Sequence, residues 1–149
     1  MLGFGIEKDK SGNARAGKAN RFLIDWILKN KAAPTLLLQE GTRLAALEWE
    51  AENGEPIGRE LVLIHPHDEE NYVNTLQAAF LALNKMSESG KSRAGLAAHD
   101  LQLKRAFQSF LKVKKSRSEW SSFEIILPKI PLSPPFPAMA HPGCLALQL

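Results

Sequence analysis

The chain of 149 residues has one cysteine, Cys144, and one tyrosine, Tyr72. A lone cysteine excludes an internal disulfide framework and any zinc finger built on cysteines. Apolar runs are only a few residues long, far short of the roughly 20 that a membrane-spanning helix needs. The opening MLGFGIEKDK lacks the basic region, apolar stretch and small-residue cleavage site of a secretory signal. These absences point to an intracellular, cytoplasmic protein with no membrane association. No serine lies in a G-x-S-x-G turn, and Cys144 follows a proline-dense stretch, so nothing suggests a nucleophilic triad. No internal repeat is present. What remains is ordinary for a globular domain: 44% apolar and 23% charged residues, in a chain of a size that buries about 68–70% of its unfolded surface.

The net charge of +3 conceals a block pattern. Residues 1–31 carry a net +4, residues 32–90 a net −7, residues 91–117 a net +7, and the remainder −1. Basic blocks of this kind attract a polyanion or an acidic protein partner, provided the acidic middle does not neutralise them within the fold.

Hydrophobic periodicity organises the chain. Residues 2–6 are short and apolar, an edge-strand candidate, and residues 7–18 form a polar loop with Gly12 and Gly17. Ala19, Phe22, Leu23, Trp26 and Ile27 share one face of a helix over about 16–31, which Pro34 terminates. Thr35–Gln39 predicts a buried strand. Thr42 is placed to cap a helix running to Glu52, and Asn53-Gly54 stops it. The unbroken Leu61–Ile64 core of Glu60–His65 predicts a second strand, so 35–65 has the length of a parallel βαβ unit. Helices are expected over 69–87 and 93–112, and a last strand over 123–127.

Six of the nine prolines lie between Pro128 and Pro142. Proline removes a backbone donor and fixes φ, so residues 128–149 read as a proline-rich, disordered tail without helix or central strand. Pro131, Pro134 and Pro137 have the P-x-x-P spacing of polyproline ligands. The fold expected is a small single α/β domain over 1–127, with a short parallel sheet and predominating helices. An all-α domain is the alternative.

Three local patterns bear on chemistry. Gly12-Asn-Ala-Arg-Ala-Gly17-Lys18-Ala19 resembles a P-loop, in which glycines cradle phosphates and a Ser or Thr after the lysine holds magnesium; here Ala19 stands in that place. His65-Pro66-His67-Asp68-Glu69 follows the best strand and offers His65, His67 and Asp68 as ligands for a divalent metal. This stretch resembles the HPDDE signature of zinc-dependent sugar N-deacetylases, which implies His65 and Asp68 as ligands and leaves His67 where that family has its catalytic aspartate. Leu37–Gly41 with His67–Glu69 is similar to the Toprim domains of primases and topoisomerases, with Pro66 replacing the first aspartate of the second motif. The competing explanation is structural, with His67 or Asp68 capping the next helix.

Lys104, Arg105, Lys112 and Lys115 fall on one wedge of the 93–112 helix and its end, away from the Leu103, Phe107 and Phe110 stripe. Together with Arg15, Lys18 and Arg21 they form the expected phosphate-contacting set. The function read from these features is a non-enzymatic domain that binds the backbone of DNA or RNA without a cofactor. A charge-asymmetric protein-interaction module is the first alternative. A small metal-dependent hydrolase or nuclease using the His65–Glu70 cluster is the second.

Overall fold

The computed structural model describes residues 6–64, 74–131 and 145–148. Strand β1 (Ile6–Lys8) and strand β2 (Ala14–Ala16) pair antiparallel as a separate hairpin, so the stretch expected to be a loop is partly ordered as a ribbon. Its turn is organised by Asp9. One carboxylate oxygen accepts the backbone N–H of Ser11 at 2.8 Å and of Asn13 at 2.9 Å, and the other accepts Asn13 Nδ2 at 3.1 Å. Gly12 supplies the positive φ of +83° that closes it.

Helix α1 (Lys18–Asn30) follows, then strand β3 (Thr35–Leu38), helix α2 (Glu40–Asn53) and strand β4 (Glu60–Leu63). β3 and β4 are parallel, with Leu36 opposite Leu61 and Leu38 opposite Leu63. The βαβ unit is thus formed where the apolar runs placed it. Gln39, not Thr42, precedes the first turn of α2; Thr42 sits inside that turn, where its hydroxyl donates to the Gln39 carbonyl at 2.8 Å. Gly54, at φ +68°, ends α2 in the left-handed conformation.

Helix α3 (Thr75–Glu88) opens with a reciprocal cap: Asn74 accepts from the Gln77 N–H, and Gln77 accepts from the Asn74 N–H. Residues 65–73, which include the expected start of this helix, lie outside the described residues. Strand β5 (Arg93–Ala98) and helix α4 (Asp100–Lys114) then replace the single helix expected over 93–112. The reason is burial on both faces. Ala94, Leu96 and Ala98 enter one core and Ala97 the other, which an alternating strand satisfies and a one-sided helix does not. A short 3-10 turn (Ser118–Trp120) leads to strand β6 (Glu124–Ile126), inside the range expected for the last strand.

Strand β7 (Leu145–Gln148) corrects the reading of 128–149 as a stretch without a central strand. The five-stranded sheet has the order β4-β3-β7-β5-β6, and β7 lies in its middle, antiparallel to both β3 and β5. Proline excludes a strand only where proline occurs, and LALQ, beyond Pro142, has none. Residues 132–144, which hold the P-x-x-P spacing and Cys144, lie outside the described residues.

The sheet separates two apolar layers. Leu36, Leu38 and Ala97 meet Ile24 and Ile27 of α1 and Ala45 and Ala46 of α2. Leu37, Ala94 and Leu96 meet Ala79, Leu83 and Met86 of α3, Phe110 of α4, and Trp120. All four residues of β3 are buried, as a strand covered on both sides requires. No helix among the described residues is long and apolar enough to cross a membrane.

Candidate nucleic-acid interface

Helix α4 packs inward through Ala106, Phe110 and Val113, which are 7% exposed or less. At 100° per residue, the direction opposite that stripe carries Lys104, Arg105, Lys112 and Lys115, all four outside the buried core. Lys112 and Lys114 fall in the last turn, where cations complement the negative end of the helix dipole. From Lys104 to Lys115 the stripe runs about 16 Å along the axis, at 1.5 Å per residue. None of the four makes an ion pair with a described residue.

Two described carboxylates on this side of the sheet are engaged with other cations. Glu88 pairs with Lys85 at 2.9 Å and Glu119 with Arg117 at 3.5 Å, whereas the Arg93–Glu124 pair, at 3.3 Å, lies on the other face, since its strand neighbours Ala94 and Ile125 enter the α3/α4 core. Arg117 also lies over the rings of Phe80 and Trp120, at 5.0 and 4.7 Å from their centroids. Sequence periodicity offered no sign of Phe80 in this stack, because Phe80 comes from a separate part of the chain from Arg117 and Trp120.

The other basic group behaves differently. Arg15 Nε lies 2.9 Å from Glu48, and Arg21 Nη1 lies 3.1 Å from the other oxygen of the same carboxylate. Arg21 also pairs with Glu52, and that hydrogen bond is the main cause of a guanidinium pKa raised above its ordinary value. Glu48 further accepts the Ala16 N–H at 2.9 Å, so it joins the hairpin, α1 and α2. Lys18 stands at the start of α1 and makes no ion pair with a described residue. Arg15, Ala16, Lys18, Arg21 and Glu48, with Glu7, Lys8 and Asp9, line a shallow cleft of about 510 Å³. In the sequence Glu48 was only one of a block of acids. Its four-residue spacing from Glu52, which sets both on one helix face, was the available signal.

The seven basic residues singled out by sequence are therefore not one surface. Arg15, Lys18 and Arg21 belong to the α1/α2 side of the sheet, and the α4 stripe to the α3/α4 side. The separation also keeps the α4 stripe away from Glu48 and Glu52 of α2. The stretch that resembles a P-loop does not form one: Ala14–Ala16 is a paired strand where a phosphate-cradling loop would be. Glu40, from the Toprim-like stretch, forms an ion pair with Arg43 at 2.8 Å. His65, His67 and Asp68 lie outside the described residues, and among the described residues no group of three metal-ligating side chains comes together.

A different feature stands at the carboxyl ends of the parallel strands. From β3 the chain moves outward to β4 through α2, whereas from β5 it moves outward in the opposite direction to β6 through α4, on the other face. Three of the four buried polar residues among those described, Asn20, Thr42 and His99, lie at this end. Asn20 of α1 sits against Gly41 of α2 so closely that a Cβ there would come within 2.6 Å of Asn20 Nδ2. Compared with models of protein families, with curated proteins and with solved structures, the chain matches none.

Proposed function

We propose that the protein is a non-enzymatic binder of the phosphate backbone of DNA or RNA, acting through the outer face of α4. The observation that carries this reading is the set of four cations on one wedge, separated by the sheet from the carboxylates that neutralise Arg15 and Arg21. An ammonium or guanidinium group facing water without a counter-charge is free to displace the condensed cations of a nucleic acid, which is the source of non-specific affinity. Lys104, Arg105, Lys112 and Lys115 are the contacts, and Arg15 and Arg21 are structural. The test is a salt-titrated binding assay on duplex DNA and on single-stranded RNA. Four contacts give a log–log slope of about −3 to −4 on a duplex, and Lys112→Ala with Lys115→Ala flattens it by roughly two. Absence of binding at about 50 mM salt rejects the reading.

A further inference from the structure

On the α3/α4 side stands an aromatic cluster that core packing leaves partly open. α3 buries Ala78, Ala79, Ala82, Leu83 and Met86, whereas Phe80 is 38% exposed and Leu76, one turn before it, is 41% exposed. The Phe80 ring is positioned by Trp120, which is fully buried: the centroids lie 5.4 Å apart and the planes cross at 73°, an edge-to-face contact. Arg117, two residues beyond Lys115, lies over both rings. Its guanidinium is therefore held by π-faces rather than by acceptors. The contact with Glu119, at 3.5 Å, is longer than the roughly 2.7–3.2 Å of a hydrogen bond, and the guanidinium makes no hydrogen bond with a described residue. An arginine held in this way keeps its planar fork of donors for a phosphate.

We propose that this cluster is a nucleobase platform, so that the nucleic acid held by α4 is single-stranded. An unpaired base stacks on Phe80 beside the Arg117 guanidinium, and Arg117 takes the adjoining phosphate. The proposal rests on the reading of α4 as a phosphate-backbone surface and adds which form of nucleic acid that surface takes. Two observations carry it. The first is continuity of charge: Arg117 follows Lys112, Lys114 and Lys115 at the end of α4, and Trp120 belongs to the same side of the sheet. A strand tracking those cations arrives at the rings. The second is complementarity, since an exposed ring next to a guanidinium without hydrogen bonds matches the two halves of one nucleotide, a flat base and an anionic phosphate. A duplex keeps its bases paired and stacked, and offers this cluster the phosphate alone.

The test uses the full-length chain and three fluorescent probes, each about 12 nucleotides or base pairs long, at about 50 mM salt. They are a strand of thymidines, an abasic strand with the same phosphates, and a duplex. The thymidine strand should bind roughly tenfold more tightly than the abasic one, the difference expected of a stacked base. Phe80→Leu keeps an apolar side chain against Trp120 and removes the ring. Arg117→Lys, at a side chain 44% exposed, keeps the charge and removes the planar fork. Each variant should bring the thymidine strand down to the abasic level and leave the duplex affinity within about twofold. Equal wild-type affinity for the thymidine and abasic strands overturns the proposal and leaves the α4 reading standing, as does a preference that both variants retain. Failure to bind any of the three probes overturns both.

Discussion

At the scale of single residues, the carboxylate of Asp9 shows how one side chain turns a polar, glycine-containing stretch into defined structure. Its hydrogen bond from Asn13 Nδ2, followed by those from the Asn13 and Ser11 amides, holds its pKa below the ordinary 3.8. A lowered carboxylate pKa means that the ionised form is favoured in the folded turn. The contribution is complete above the unfolded value and is lost as the pH falls through the lower folded value. The carboxylate is solvent-exposed, so the consequence is local order rather than global stability. The Ser11 and Asn13 amide resonances should therefore titrate, as the pH is lowered from neutral, with a midpoint below 3.8. A titration midpoint above 3.8 would show that the turn does not depend on the ionised carboxylate. Asp9→Asn, which keeps one acceptor oxygen and removes the charge, should abolish the transition.

At the scale of elements, what was legible depended on how many faces each segment buries. Helix α1 and the β3–α2–β4 unit could be read because one-sided periodicity and unbroken apolar runs translate directly into an amphipathic helix and two covered strands. β5 could not. Ala94-Gly95-Leu96-Ala97-Ala98 is apolar throughout, and apolar residues continuing into Leu103 and Phe107 mimic a helical stripe that in fact begins only after His99. β7 was hidden by its neighbourhood, since proline density dominated a window whose last residues carry no proline. Of the candidate site, the α4 wedge could be found because it needs only the period of a helix. The pairing of Arg15 and Arg21 with Glu48 could not, since it joins residues far apart in the chain. The position of β7 sets an expectation opposite to that for a dispensable tail. A chain ending at Cys144 should lose cooperative unfolding or melt at least about 10 °C lower, since several kcal/mol of ladder and burial are removed and each is worth about 2–4 °C at this size. A melting point within about 3 °C of the full chain, measured by calorimetry, would show that the two parallel pairs hold together without it.

At the scale of the whole molecule, the sheet is an insulating partition between two electrostatic surfaces. On the α1/α2 side cations and carboxylates neutralise one another: Arg15 and Arg21 on Glu48 and Glu52, Lys29 on Asp25, and Arg43 on Glu40. On the α3/α4 side the described pairs, Lys85 with Glu88 and Arg117 with Glu119, do not involve the α4 stripe, whose four cations make no ion pair with a described residue. A polyanion should then approach from one side, and side-specific protection is the consequence to measure. With a short duplex of about 12 base pairs bound at low salt, amine-reactive labelling should be reduced several-fold at Lys104, Lys112 and Lys115. It should stay unchanged at Lys29, whose side chain is 69% exposed but lies across the sheet. Lys18 is the discriminating position. It makes no ion pair among the described residues, so its own chemistry permits a phosphate contact, yet it belongs to the α1/α2 side. Protection of Lys18 together with Lys104 would mean that the nucleic acid runs over the edge of the sheet and engages both basic groups. Protection of Lys18 alone would move the interface to the hairpin cleft and leave α4 as a solvated face. Protection confined to the α4 lysines, fading between about 50 and 200 mM salt as counter-ions compete, is the outcome that the partition of charge requires.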